Sequence, residues 1–352
     1  MTDPYPLTFI PILKAKVWGG RRLMRYGKPM PEDAAVLIGE SWELADLAST
    51  SASGGGGDAA HSVIANGPLT GSTITNAMRL WGPRLLGDVP FQAETRAQQT
   101  PHPAFPLLLK FLDAREHLSV QVHPSPHYAA AHPQAHLKTE SWYVLDAEPV
   151  DGKPPMIFRD LKPGTTREDF VRSIESGEVA SALATQPAVP GQCHTLPSGT
   201  LHALGAGVLV AEVQTASDTT FRVYDWTSEY SRPQRALHID AALECIDFSQ
   251  DHDTLPTQAS PGSLTSRLAA TAFYTIDEVA PTAAGMIFPS DVCVAIMGIA
   301  GRGRISSVRG HWPDVAISAG TTVLIPAAAA GDARLCDVEH CRVLTIGLGQ
   351  FN

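Results

Sequence analysis

Three residues able to bind a metal ion occur close together near the middle of the chain. Gln121 and His123 belong to the segment SVQVH, whose alternating apolar and polar residues predict a strand. Side chains two residues apart on a strand point to the same face, so both can reach one ion. Glu140 belongs to a second predicted strand, KTESWYVL, and adds a carboxylate. Three further histidines lie in a helix-like segment between these strands and are not predicted to be ligands: His127, His132 and His136.

A fourth candidate ligand, His202, ends the segment GQCHTLPSGTLH. Pro197 and Gly199 predict a hairpin that points His202 into a barrel, and the spacing resembles the second sequence motif of the cupin superfamily. A lone histidine or glutamate on a strand is usually structural or solvated, but the combination with a full hairpin motif favours a metal site. Imidazole, carboxylate and amide oxygen together suit a borderline divalent ion, so we predict Zn²⁺.

These side chains must be positioned by strands, and strands dominate the sequence. The 29 glycines and 28 prolines among 352 residues indicate many short strands joined by turns. Helical periodicity is predicted at 74–87 and 165–184, the second with Thr166 as N-cap and Asp169 three residues later in a capping-box role. A polar stretch at 92–104 is interpreted as separating the first of these helices from the buried run FPLLLKFLDA. The predicted fold class is mainly β, with two cupin (jelly-roll) barrels and a small helical insert.

The order of these segments predicts three parts. Residues 1–160 and 190–250 are expected to form the metal-binding catalytic barrel, interrupted by a helical insert at 161–189. Residues 265–352 are expected to form a second, cupin-like barrel. Its segment AGTTVLIPAAAAGD resembles the second cupin motif but has alanines where the ligand histidine would stand, so this barrel is predicted to hold no metal.

The amino-acid composition limits the classes of binding partner and indicates the cellular compartment of the protein. A net charge of −10 argues against binding to nucleic acid or to an anionic membrane surface, because both require basic protein surface. No run approaches 18 apolar residues, so no membrane span is predicted. The five cysteines are scattered and odd in number, which favours reduced thiols and a cytoplasmic location.

At the level of whole motifs the sequence resembles type I mannose-6-phosphate isomerases, which belong to the cupin superfamily. The likeness rests on PLLLKFLDAREHLSVQVHP, KTESWYVLDA, LPSGTLHALGAG and EVQTASDTTFRVYDW, with VWGG and GESWE nearer the N-terminus. The likeness extends over nearly the whole chain, and it is greatest to the short bacterial form of this isomerase family. The distance of 17 residues from His123 to Glu140 departs from generic cupins and is shared with this isomerase family.

The resemblance implies roles for eight residues. It implies Zn²⁺ ligation by Gln121, His123, Glu140 and His202, and active-site functions for Lys110, Lys138, Arg222 and Glu212. Among the latter, Glu212 matches a proposed acid–base carboxylate of the family. Lys110 lies in an apolar run, where a charge is costly unless it faces a polar cavity or a partner. Which residue is the proton-transfer base, and which cation binds phosphate, stays open.

The function we predict is a zinc-dependent interconversion of mannose 6-phosphate and fructose 6-phosphate through a cis-enediol, with a small-molecule sugar phosphate as the partner. Proton transfer between C1 and C2 requires a base near these carbons and cations near the oxygens. Two alternatives remain: a metal-dependent cupin oxygenase and a non-catalytic sugar-binding cupin. The oxygen-rich ligand set fits redox-inert zinc better than an oxygenase centre, and no DNA-binding helix pair accompanies the barrel. For Arg222, the alternative to an active-site role is a surface ion pair with Asp225 or Glu229.

Overall fold

The structure is a computed structural model, and it describes residues 2–49, 51, 58–249 and 255–349. Strands account for 40% of the chain and helices for 18%, so the predicted mainly β class is confirmed. No helix among the described residues is long and apolar enough to cross a membrane. All five cysteines lie in the described part and are free thiols.

The strands and helices are numbered here in chain order. The strands are β1 (Leu7–Ile10), β2 (Ile12–Gly20), β3 (Ile38–Leu44), β4 (Asp46–Leu47), β5 (Ala60–His61), β6 (Val63–Ile64), β7 (Leu107–Asp113), β8 (Val120–Val122), β9 (Glu140–Ala147), β10 (Met156–Leu161), β11 (Leu183–Pro187), β12 (Gln192–Leu196), β13 (His202–Leu204), β14 (Val208–Thr215), β15 (Phe221–Tyr224), β16 (Thr257–Gln258), β17 (Thr265–Ala270), β18 (Tyr274–Val279), β19 (Met286–Ile287), β20 (Val294–Ser307), β21 (Val315–Ser318), β22 (Thr322–Ile325) and β23 (Ala333–Leu348). The α-helices are α1 (Ile74–Trp81), α2 (Pro83–Leu86), α3 (Asp88–Ala97), α4 (Pro126–Ala131), α5 (Arg167–Ser176), α6 (Val179–Ala182), α7 (Ile239–Cys245) and α8 (Ala327–Ala330).

Two antiparallel sheets carry the residues of interest. The first has seven strands in the order β16-β12-β9-β14-β7-β3-β2, and the second has five in the order β11-β10-β13-β8-β15. They pack face to face, because one buried apolar cluster contains Trp142 and Val210 from the first sheet and Ile157 and Leu204 from the second. That these sheets close into a jelly-roll barrel stays a prediction.

A third sheet is built mostly from the C-terminal strands, in the order β17-β18-β23-β20-β22-β1-β6. Strand β1 belongs to it, since Leu7 pairs with Leu324 of β22. The predicted boundary that assigns the whole of 1–160 to the catalytic part therefore does not follow the sheets. The third sheet shares a core with the outer face of the seven-stranded sheet and with α1 and α2.

The helical predictions are partly confirmed. Helix α5 begins after Thr166, which forms the expected capping box with Asp169. The polar stretch at 92–104 lies between α2 and β7, and its first part is helical, because α3 extends through Ala97. The alanine run after Pro326 forms helix α8 rather than a hairpin that presents a ligand.

Candidate active site

One row of side chains crosses the seven-stranded sheet. Trp42 of β3 pairs with Lys110 of β7, Lys110 pairs with Glu212 of β14, and Glu212 pairs with Trp142 of β9. Residues directly opposite each other in antiparallel strands point to the same face, so the four side chains lie side by side. The strands are long and almost wholly buried, which holds this row in a fixed register.

A second row crosses the five-stranded sheet. Here His202 of β13 pairs with Gln121 of β8, and Gln121 pairs with Arg222 of β15. Residues separated by 81 and 101 positions in the chain are thereby brought next to each other. His123 follows directly after β8, on the face of Gln121.

The two rows meet at a buried cluster of three donors. Glu140 lies with Oε2 3.2 Å from Nε2 of His123 and Oε1 3.2 Å from Nε2 of His202. All three side chains are at most 1% exposed. Within the described part of the chain, neither glutamate oxygen nor Nε2 of His123 has a partner with hydrogen-bond geometry, although Nζ of Lys138 lies 2.7 Å from Oε2 of Glu140. Because the histidine and glutamate atoms lie close together without hydrogen bonds between them, their lone pairs are interpreted as pointing toward one common position.

Backbone carbonyl groups orient both imidazoles. Nδ1 of His123 donates to the carbonyl oxygen of Thr219 at 2.9 Å, and Nδ1 of His202 donates to that of Thr200 at 2.8 Å. With Nδ1 protonated, Nε2 of each neutral ring keeps its lone pair for a ligand. Burial, followed by the charge of Lys138, lowers the pKa of His123 to about 3, so this ring is neutral at physiological pH.

Glu140 is held as a carboxylate. Burial by itself would raise its pKa, but the positive charge of Lys138, with Nζ 2.7 Å from Oε2, outweighs that effect and holds the pKa well below its ordinary value. The amide of Gln121 lies beside the cluster, with Nε2 3.4 Å from Nε2 of His202. A half-turn of this amide exchanges its nitrogen and oxygen and presents an oxygen to the same point.

The donor set fits a zinc ion. Ligand atoms about 2.1 Å from a tetrahedral Zn²⁺ lie roughly 3.4 Å apart, close to the two 3.2 Å separations observed. The three donors lie within 4.8 Å of one another, and they are the only group of this kind among the described residues. Two imidazoles and one carboxylate are ordinary zinc ligands, and an amide oxygen can complete the set.

A cavity of about 490 Å³ opens beside the cluster. Five of the eight residues predicted from the sequence reach its lining: Lys110, Gln121, Lys138, Glu212 and Arg222. The other three, His123, Glu140 and His202, lie behind them in the buried cluster. A volume of this size accommodates a sugar phosphate.

Glu212 is the carboxylate best placed for proton transfer. Trp142 donates from Nε1 to Oε1 of Glu212 at 2.9 Å. Oε2 lies 3.0 Å from Nζ of Lys110 and has no partner with hydrogen-bond geometry among the described residues. Burial raises the pKa of Glu212, an effect that Lys110 opposes and the nearby charge of Glu140 reinforces. Lys110 itself is held protonated, since Glu212 and Glu40 outweigh its burial and raise its pKa.

Arg222 is buried and does not form the surface pair that was the alternative prediction. Its Nη1 donates to the carbonyl oxygen of Ala236 at 2.7 Å, and its side chain lines the cavity. Asp225 instead pairs with Arg232 and Arg235. The three histidines that were not predicted to be ligands, His127, His132 and His136, are exposed.

Several residues of the cavity were not predicted individually. Glu40 and Trp42 lie within GESWE and Trp18 within VWGG, both noted only as parts of a family likeness. Lys16 pairs with Glu40 at 3.1 Å, and Glu40 also accepts a 2.6 Å bond from Nε1 of Trp42. Arg235 comes from a loop whose sequence carries no pattern that predicts a site.

Comparisons with known proteins identify the family of this chain. Residues 59–152 match the family described as phosphomannose isomerase type I, catalytic domain. Mannose-6-phosphate isomerase ManA of Bacillus subtilis is 32% identical over 346 residues, which cover 96% of this chain and 98% of that protein. The chain belongs to the mannose-6-phosphate isomerase family. The predicted enzyme class is therefore confirmed, together with the resemblance on which it rested.

Other members of the mannose-6-phosphate isomerase family and their solved structures extend the match. The enzyme of Streptococcus mutans is 30% identical over 86% of this chain and 87% of its own length. The crystal structure of the Bacillus subtilis mannose 6-phosphate isomerase superposes with a TM-score of 0.72 at 24% identity, covering 97% of this chain and 99% of that one. A mannose 6-phosphate isomerase structure bound with zinc and yttrium has a TM-score of 0.68 at 14% identity, with 98% and 100% coverage.

Proposed function

We propose that this isomerase interconverts mannose 6-phosphate and fructose 6-phosphate through a cis-enediol, with Zn²⁺ held by Gln121, His123, Glu140 and His202. One observation carries the proposal: a buried carboxylate of raised pKa, Glu212, lines the cavity that opens beside the donor cluster. The cluster supports a cation site, and the carboxylate supports a base beside it.

Glu212 is proposed to move the proton between C1 and C2. A base that works near neutral pH requires a pKa above that of an ordinary carboxylate, and burial raises the pKa of Glu212 in this direction. Because Trp142 occupies Oε1, Oε2 is the oxygen free to accept the proton and return it to the neighbouring carbon. Lys110, 3.0 Å from Oε2, restores the carboxylate after each transfer by favouring its charged form.

Zinc, when bound, would act as a Lewis acid on a substrate oxygen. The carbonyl groups of Thr219 and Thr200 support this assignment, since they fix the two imidazoles in the ligating tautomer. Lys138 is proposed to position Glu140, whose Oε2 lies 2.7 Å away, and to offset its charge.

Arg222 is proposed to stabilise the negative charge that develops on the oxygens of the enediolate. Its guanidinium group is fixed by the bond to Ala236 and faces the cavity, and it therefore needs little reorganisation during the reaction. Burial lowers its pKa to about 10, which leaves it charged at physiological pH. We also propose a cytoplasmic location, consistent with five unpaired cysteines.

A direct assay tests the proposal. The purified protein should convert mannose 6-phosphate to fructose 6-phosphate, lose this activity on chelation and regain it with Zn²⁺. In ²H₂O, solvent deuterium should enter the sugar at C1 or C2, because an enediol intermediate leaves the transferred proton open to exchange. Retention of full activity after complete metal removal would refute the zinc proposal. A complete lack of deuterium over many turnovers would refute the enediol.

A further inference from the structure

The lysines of the cavity are already matched by carboxylates. Each has its Nζ within 3.1 Å of a glutamate oxygen: Lys110 beside Glu212, Lys138 beside Glu140 and Lys16 beside Glu40. The lysine wall and the donor cluster behind it thus carry little unbalanced positive charge. A phosphate dianion entering this side of the cavity would meet three carboxylates as well as three ammonium groups.

The opposite wall is different, because it is built around arginines. Within the described part of the chain, no carboxylate oxygen lies within 4.0 Å of Arg222, although its side chain is largely buried. Arg235 lines the same wall, next to the Ala236 whose carbonyl oxygen accepts a bond from Arg222. The backbone N–H of Arg222 also donates to Nδ1 of His238 at 3.2 Å, so this loop lies alongside β15.

Arg235 is held in place but remains accessible. Its Nε donates to Oδ2 of Asp225 at 2.8 Å and its Nη2 to Oδ1 of the same carboxylate, a two-point contact that fixes the plane of the guanidinium group. The side chain is nevertheless 26% exposed, whereas Asp225 is 2% exposed. Nη1 of Arg235 is not engaged by Asp225 and can bind a ligand in the cavity.

Asp225 by itself does not neutralise the arginines of this wall, and the cavity lining also includes Asp218, which has no arginine or lysine within 4.0 Å among the described residues. Asp225 is shared with Arg232, which is 4% exposed and also donates to the carbonyl oxygens of Asp225 and His117. Burial is the largest cause of the lowered pKa of Arg222, and repulsion by the positive charge of Arg235 is the next largest. An anion bound between them would relieve this repulsion.

We propose that Arg235 is a specificity-determining residue that binds the phosphate group of the sugar phosphate. The assignment rests on the proposed function and adds the end of the cavity at which the phosphate lies. A planar guanidinium group with a free edge offers a phosphate two parallel hydrogen bonds, and an ammonium group already engaged by a carboxylate offers fewer. In this arrangement Arg222, deeper in the wall, remains available for the sugar oxygens.

Steady-state kinetics test the assignment with matched variants. Arg235→Met should raise KM for mannose 6-phosphate and the inhibition constant of inorganic phosphate by the same factor, roughly 10- to 100-fold, as for loss of hydrogen bonds to a charged group. The value of kcat and the zinc content should change little. Arg235→Lys should restore part of the affinity. Lys16→Met is the matched comparison, since Lys16 lines the cavity with 23% exposure and also pairs with a carboxylate.

Two outcomes would overturn the assignment. One is an Arg235→Met enzyme whose KM and phosphate inhibition match the wild type. The other is an effect of Lys16→Met on phosphate inhibition that equals or exceeds the effect of Arg235→Met. Failure of the proposed function has a separate signature, because the wild-type protein itself would then not convert mannose 6-phosphate.

A measurement on the unmodified sequence makes the test independent of how the variants fold. Phenylglyoxal labelling followed by peptide mass spectrometry should modify Arg235, and inorganic phosphate should protect it. Arg25, whose side chain is 55% exposed and lies outside the cavity lining, should be labelled equally with and without phosphate. Equal labelling of Arg235 in both conditions would overturn the assignment.

Discussion

The ion pair of Glu212 and Lys110 allows the most specific prediction, because one substitution, Glu212→Gln, tests both the catalytic role of Glu212 and the stability that the pair contributes. Glu212→Gln keeps the size of the side chain and the acceptor for Nε1 of Trp142, but it removes the negative charge and the basic oxygen. If Glu212 transfers the proton, turnover should fall by about 10²–10⁴, the range for loss of a general base. KM and zinc content should change much less, since Glu212 is not a proposed ligand.

The stability effect follows from the burial of the partner. Lys110 is 5% exposed, and after the substitution its nearest carboxylate oxygen is that of Glu40 at 4.0 Å. Removing one partner of a buried ion pair costs about 3–5 kcal/mol, and the remaining Glu40 should reduce this to roughly 2–3 kcal/mol. The free energy of unfolding is measured by urea denaturation at pH 7 for Glu212→Gln, Lys110→Met and the double variant.

The double variant is the control for the ion pair. It should lose less stability than the sum of the single variants, by about 1–2 kcal/mol, because neither charge is then left alone. Additive losses would show that the 3.0 Å contact carries no coupling. A Glu212→Gln enzyme with turnover within about threefold of the wild type would refute the role of Glu212 as the base.

Three further predictions concern metal, charge and pH. His123→Ala should release the metal, as measured by elemental analysis, because metal affinity depends on all ligands. Gln121→Ala should weaken metal binding less, because a neutral amide is the weakest ligand of the set. Full zinc occupancy of the His123→Ala variant would contradict the proposed ligands. Arg222→Ala should lower kcat by about 10²–10³ with zinc retained, and a defect confined to KM would instead assign Arg222 to phosphate binding. Burial lowers the pKa of His117 to about 4, and its Nδ1 accepts from the backbone N–H of Ala206 at 2.7 Å. The unfolded chain takes up a proton there at higher pH than the folded chain, so stability should fall by up to about 3 kcal/mol as the pH drops from about 6.5 to about 4. His117→Gln should flatten this part of the pH profile, and an unchanged profile would exclude His117 as its source.

Local sequence determined much of the site. The alternation in SVQVH, the turn signals before His202 and the capping box at Thr166 are short-range patterns, and the structure has a strand, a turn and a helix cap at these places. The predicted hairpin before His202 was wrong, because β12 and β13 on either side of this turn belong to different sheets and do not pair. The mainly β class and the enzyme family were also accessible from sequence, because turn residues and whole motifs are local features. The eight predicted site residues lie together in the structure, whereas their individual roles remain predictions.

Tertiary structure decided which of these residues meet, and which others join them. Strand pairing placed Lys110 opposite Glu212, and strand β1 opposite a strand more than 300 residues away, through hydrogen bonds that leave no local signature in either segment. Arg235 reached the cavity because Asp225 orients it, and charged residues in a polar loop look alike in sequence whether they face solvent or a ligand. Long-range register and the sharing of one carboxylate between two arginines depend on the packed sheets, and only the folded chain determines them.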